Sequence, residues 1–250
     1  MPTSTLGFAL SMRVLVISDL HYDHKIYKGI DERKAWSWLM GIIDYHKPDL
    51  LLSCGDWGTA ITHEKFYNLL EKCPILTIYG NHENLSILKS LHNIKTDEYL
   101  PILMKDGEVY EFHGLRIAGI NGIISVRRKS RKGIPRKRPD EYLRVARALA
   151  GKGLDVLLMH EVPYLPSVFD NIRDTVSSRV ALEAVKIIRP RLVVNGHMHA
   201  GFKHYDFGFN TSYVNIDSSQ AGRCYAIIRV NGRMVVEIWK NYEIRGVLCL

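Results

Sequence analysis

Eight side chains able to bind metal or move protons fall into five short clusters: Asp19-Leu20-His21, Gly55-Asp56, Gly80-Asn81-His82-Glu83, His160, and Asn195-Gly196-His197-Met198-His199. Carboxylate, imidazole and amide oxygen suit hard-to-borderline divalent ions such as Mn, Fe, Zn, Ni or Co, and no thiolate is required. So many ligands exceed what one tetrahedral zinc takes. They match two ions roughly 3.5 to 4 Å apart that share one carboxylate. Such a pair lowers the pKa of bound water and supplies a nucleophile near neutral pH, which is the chemistry of hydrolysis. Singly, the clusters say little. An Asp-x-His arises often by chance, and a lone histidine after a strand is ordinarily structural. The conjunction of five clusters in order carries the reading.

The elements that must position them are visible in the hydropathy. Five apolar runs of strand length, Val14–Ile17, Leu50–Leu52, Ile75–Tyr79, Val156–Met159 and Leu192–Val194, each lead directly into one cluster. They are apolar without alternation, as strands covered on both faces must be. In open α/β sheets the ligand site lies beyond the carboxyl ends of the strands, so five adjacent strands are expected to aim these side chains at one place. Helical patterns fall at 31–46, before Pro48, at 63–72, at 140–150 and at 178–188, before Pro190. Residues 108–124 read as strand, turn, strand. Residues 202–239 give further strands, with Asn231-Gly232 as a hairpin turn. Two sheets packed face to face with helices outside is the simplest layered solution.

These motifs resemble the calcineurin-like metallophosphoesterase superfamily, and they span residues 19 to 199. The resemblance implies a mixed α/β (α+β) fold, a four-layer αββα sandwich of two mixed β-sheets with helices outside. It implies that Asp19, His21, Asp56 and His199 hold a first ion. Asp56, Asn81, His160 and His197 would hold a second, with Asp56 bridging. His82 would face the substrate as the catalytic histidine, stabilising phosphoryl oxygens and protonating the leaving alkoxide, with Asp23 and Glu83 as candidate partners. Where the protein-phosphatase branch continues Gly-Asp with Val-Asp-Arg-Gly, this chain has Gly55-Asp56-Trp57-Gly58-Thr59. Debranching enzymes carry Cys where this chain has His21. Gly-Asn-His-Glu resembles the diesterase branches, so the implied activity is a phosphodiesterase acting on nucleotides or nucleic acid, nuclease-like, with manganese as the expected metal. A phosphomonoesterase on a small metabolite is the alternative, and a non-catalytic scaffold of the same fold a third.

Charge points the same way. The formal net charge is +8, and the segment 127–138 contains Arg127, Arg128, Lys129, Arg131, Lys132, Arg136, Lys137 and Arg138 without an acid. Those cations equal the whole excess, so basicity is a local device. A basic loop here, with Arg127, Arg128 and Lys129 foremost, is expected to hold a polyanionic backbone if it emerges on the site face. Cys54, Cys73, Cys224 and Cys249 show no C-x-x-C spacing and read as the reduced thiols of a cytoplasmic protein. No run reaches the roughly 18 to 20 apolar residues of a membrane helix. Residues 1–11 are expected to be a loose extension, and 12–250 one domain. The apolar terminus Val247 to Leu250 is a candidate homodimer surface.

Overall fold

The computed structural model describes residues 12–96, 99–127 and 129–250, so the expected N-terminal extension and Arg128 lie outside the described residues. Two six-stranded mixed sheets form the centre. The first has the order β16 (Glu243–Cys249), β15 (Arg233–Lys240), β14 (Cys224–Asn231), β1 (Met12–Ile17), β4 (Leu50–Ser53) and β5 (Ile75–Thr77). The second runs β12 (Lys203–Asp206), β13 (Ser212–Asn215), β11 (Leu192–Asn195), β10 (Val156–Met159), β7 (Leu115–Ile120) and β6 (Val109–Phe112). The strands β1, β4 and β5 are mutually parallel, as are β7, β10 and β11.

Strand periodicity sorts the core into layers. Val14 and Val16 of β1, with Leu50 and Leu52 of β4, pack against Ile117, Val156, Leu158 and Val194 of the second sheet. Their neighbours Leu15, Ile17 and Leu51 face the opposite way, onto α1 (Ala35–His46) and α2 (His63–Leu70). On the far side Leu157, Met159 and Val193 face α4 (Pro139–Leu149) and α5 (Val176–Ile188). A short helix α3 (Leu85–Ser90) follows the third cluster. The result is helix, sheet, sheet, helix, as expected.

The helix ends follow local chemistry. Lys47 closes α1 in the left-handed region just before Pro48, and Arg189 does the same for α5 before Pro190. The Thr175 hydroxyl caps α5 by accepting from Ser178 N–H.

One expectation is corrected. The five cluster-bearing strands are not neighbours in one sheet: β1, β4 and β5 belong to the first, β10 and β11 to the second. A strand between helices and a second sheet is apolar on both faces, just as a strand between two helix layers is, so hydropathy cannot separate the cases.

Candidate metal centre and its rim

The carboxyl ends of both sheets meet at one edge, and the five clusters meet there. Backbone hydrogen bonds lock the first two loops together: Asp19 N–H to Gly55 C=O at 3.0 Å, His21 N–H to Asp56 C=O at 2.9 Å and Tyr22 N–H to Trp57 C=O at 2.9 Å. Gly58 N–H reaches His82 C=O at 3.0 Å, tying in the third. The fifth joins through His197 N–H, which donates to Asp19 Oδ2 at 2.8 Å. Asn195 Nδ2 donates to the carbonyls of His160 and Glu161 at 3.1 and 3.0 Å, so the fourth is bound to the fifth.

Backbone conformation is unusual here. Asp19, His21, Asp56, His197 and His199 all have φ between 46° and 72°. Non-glycine residues adopt this left-handed region rarely, although Asp and His tolerate it better than most. Gly80 and Gly196 allow the closest approaches. A β-carbon at Gly80 would collide with the Asp56 carboxylate and the His160 ring, and one at Gly196 with Ser18 and Asp19.

The side chains gather into two groups, Asp19 with His21 and His199, and Asp56 with His160 and His197. Asp56 stands between them: its Oδ2 lies 3.6 Å from His21 Nε2 and 3.4 Å from His160 Nε2. Its Oδ1 accepts from Asn81 N–H at 2.5 Å and His82 N–H at 2.8 Å. His21 Nε2 and His199 Nε2 are 3.2 Å apart, as are His197 Nδ1 and His160 Nε2. The His160 Nδ1 bonds Cys54 C=O at 2.8 Å, leaving Nε2 for the site.

These residues fit divalent cations. Asp19 Oδ1 and Asn81 Oδ1 are buried with no hydrogen-bond partner among the described residues, and buried oxygens left so beside two histidine–carboxylate groups suit a cation. Burial opposes ionisation of Asp56, yet His160 and His21 hold it far below the ordinary carboxylate range. Burial and the neighbouring His160 push His197 down to about 4, keeping it neutral as a ligand must be.

Two supporting acids play roles that the cluster spacing hides. Glu83 accepts from Asp56 N–H at 2.5 Å, Gly80 N–H at 3.0 Å and Trp57 N–H at 3.2 Å. It therefore shapes the loops and does not orient His82; burial and the Asp56 carboxylate push its pKa up to about 8. Asp23 is likewise engaged elsewhere, with Lys25 at 2.8 Å and the His24 N–H. Asp217 lies 3.7 Å from His199 Nδ1, behind the ring, as carboxylates behind ligating histidines do. No short motif marks Asp217; its only signal was its place in the strand-rich tail.

His82 is exposed at the mouth, its ring 5.3 Å from that of His21. Burial, His21 and Lys132 lower its pKa against the pull of Asp56. The mouth opens into a cavity of about 580 Å³ lined by His21, His82 and His199 together with Lys28 and Lys132.

The described part of the basic segment contains paired strands. Residues 130–135 form a hairpin of β8 (Ser130–Arg131) and β9 (Ile134–Pro135). Lys132 at its tip reaches the cavity, whereas Arg127 and Lys129 are exposed at its base and do not line it. Lys137 is turned inward, paired with Asp106 at 2.8 Å, and Arg138 faces Asp140 at 3.6 Å. Trp57 packs in the core and donates to Thr77 Oγ1 at 2.9 Å. His63 bonds Ser90 at 2.9 Å, away from the centre.

The chain belongs to the calcineurin-like phosphoesterase family, whose model matches residues 12–201. Members of that family hydrolyse phosphate esters. No curated protein matches the sequence. Among solved structures the fold is shared with TT1561 of Thermus thermophilus, at 13% identity and TM-score 0.64 over 92% of this chain and 99% of that one. A dimetal phosphatase from Danio rerio gives 12% and 0.56 over 95% and 98%. GAP50, the anchor in the inner membrane complex of Plasmodium, gives 12% and 0.59 over 96% and 88%. At these identities the likeness is one of fold. No helix among the described residues is long and apolar enough to cross a membrane.

Proposed function

We propose that this protein is a dinuclear-metal-dependent phosphodiesterase acting on nucleotides or nucleic acid. The observation that carries the reading is the position of Asp56 between two histidine–aspartate groups, beneath an open cavity with a cationic rim. Asp19, His21, Asp56 and His199 hold one ion, and Asp56, Asn81, His160 and His197 the other. Manganese suits this oxygen and imidazole set. When bound, such a pair lowers the pKa of water and neutralises charge on phosphoryl oxygens.

The chain's own residues do the rest. Asp56, held by two backbone N–H groups, keeps its second oxygen directed between the groups. Glu83 fixes the loops that carry Asp56 and Gly80. His82 stands at the mouth, where its N–H donates to a phosphoryl oxygen and its ring faces the leaving group. Arg127 and Lys129 lie at the base of the cationic hairpin. Together with the charge of Arg128 they draw in a polyanion through long-range attraction. A diester carries one negative charge at the scissile phosphorus and continues on both sides of it. An open cavity with cations beyond the centre suits such a substrate better than a compact monoester.

The test is hydrolysis of bis-para-nitrophenyl phosphate against para-nitrophenyl phosphate by the Mn²⁺-loaded protein. A higher kcat/KM for the diester is expected. A strong preference for the monoester would overturn the diesterase reading.

A further inference from the structure

The rim contains a second hairpin. Strands β2 (Ile26–Tyr27) and β3 (Ile30–Asp31) pair antiparallel around Lys28-Gly29. The β8–β9 hairpin is built on the same pattern around Lys132-Gly133. The two read Tyr27-Lys28-Gly29-Ile30 and Arg131-Lys132-Gly133-Ile134. In both, the two tip residues have positive φ: 48° and 79° in the first, 50° and 77° in the second. That is the signature of a type I′ turn, whose first position favours Asn, Asp or Gly. Lysine there is a poor local choice, made twice, and both lysines line the same cavity beside His21, His82 and His199.

Their charges are available. Lys25, on the same wall, is balanced by Asp23 at 2.8 Å and Glu32 at 3.5 Å. Lys28 and Lys132 form no ion pair among the described residues. The Lys28 ammonium lies 5.3 Å from the centre of the Tyr27 ring, which holds it along the cavity wall. The wall of the same cavity also includes Tyr27, Ile30 and Ala221, apolar surface suited to the faces of a sugar and a base.

We propose that the paired Lys-Gly tips form a subsite for a second phosphate of the substrate, separate from the phosphate at the metal centre. Lys28 and Lys132 bind its non-bridging oxygens, and Tyr27 and Ile30 pack against the group between the two phosphates. This rests on the reading of the site as a phosphodiesterase and narrows it to substrates with at least two phosphates. The second phosphate has two chemical sources, the next link of a nucleic-acid backbone or the polyphosphate chain of a free nucleotide.

The test is equilibrium binding to the Mn²⁺-loaded protein of three ligands: a nucleoside 5′-monophosphate, the 3′,5′-bisphosphate and the 5′-diphosphate. Two charge-assisted contacts should make one two-phosphate ligand bind at least about tenfold tighter than the monophosphate. The double variant K28N/K132N should lose that preference. Asparagine is favoured at both turn positions, so the hairpins should survive and the thermal midpoint should not fall. A preference for the 3′,5′-bisphosphate assigns the subsite to nucleic acid, and one for the diphosphate assigns it to free nucleotides. Equal binding of all three ligands by the wild type, or a preference that survives in K28N/K132N, would overturn the proposal. Turnover of bis-para-nitrophenyl phosphate reports on the diesterase reading separately, so the two can fail independently.

Discussion

The floor of the site and its rim use the same strained backbone with different support. In the floor, left-handed Asp19, His21, Asp56, His197 and His199 sit in loops cross-bonded to one another and anchored to two sheets. On the rim, left-handed Lys28 and Lys132 sit at the tips of two-residue turns between two-residue strands. Strain of about 1–2 kcal/mol per residue is shared across a network in the first case and stays local in the second. A change in the floor should therefore propagate to the whole centre, while a change on the rim should alter only what binds there.

The largest expected effect is Asp56→Asn. It removes the carboxylate oxygen between the two groups, and turnover should fall by at least about 10³ with loss of bound metal, read by kinetics and elemental analysis. Gly80→Ala should come close to it, because the added carbon meets both Asp56 and His160. Metal content should fall and the protein should lose about 1–3 kcal/mol of stability, measured by denaturant titration. On the rim, Gly29→Asn meets no atom within 4 Å, so metal content should stay normal and stability should fall only by the local strain of a left-handed non-glycine residue, about 1 kcal/mol.

His82→Asn tests the border between the two regions. The rate should drop by about 10² to 10⁴ while metal content stays normal. Loss of metal would move His82 into the floor. Replacing Arg127, Arg128 and Lys129 together by alanine should weaken nucleic-acid binding and flatten its dependence on salt. An unchanged slope would mean that the base of the hairpin is not a contact surface.

A further effect lies outside both regions. His46 is buried beside Tyr225 and Trp239, and burial lowers its pKa to about 4. With a folded pKa below the unfolded value of about 6.5, its contribution is complete above pH 6.5. That contribution is lost as pH falls toward 4. His46→Gln should make the stability curve shallower across that window than in the wild type.

The floor was legible in the sequence because each candidate ligand follows an apolar strand, and strand ends converge by topology. The split of those strands between two sheets was not legible, since both arrangements bury both strand faces. Glu83 stood within a recognised cluster, but its bonds to Asp56, Trp57 and Gly80 exist only once three loops meet. Asp217 is 18 residues beyond His199 in the chain and behind its ring in space. The basic segment was visible as charge, yet charge alone could not say that Lys132 turns toward the cavity and Lys137 away from it. The turn dipeptides Lys28-Gly29 and Lys132-Gly133 lack the Asn or Asp that ordinarily marks such hairpins.

In the proposed centre Asp19, Asp56, Asn81 and four histidines hold a pair of ions, with Asp56 shared between the two groups. Elemental analysis of the wild-type protein after loading with Mn²⁺ and removal of excess tests it most directly. About two ions per chain are expected, with Asp56→Asn lowering the occupancy of both; a wild-type value of one or none would overturn the dinuclear reading.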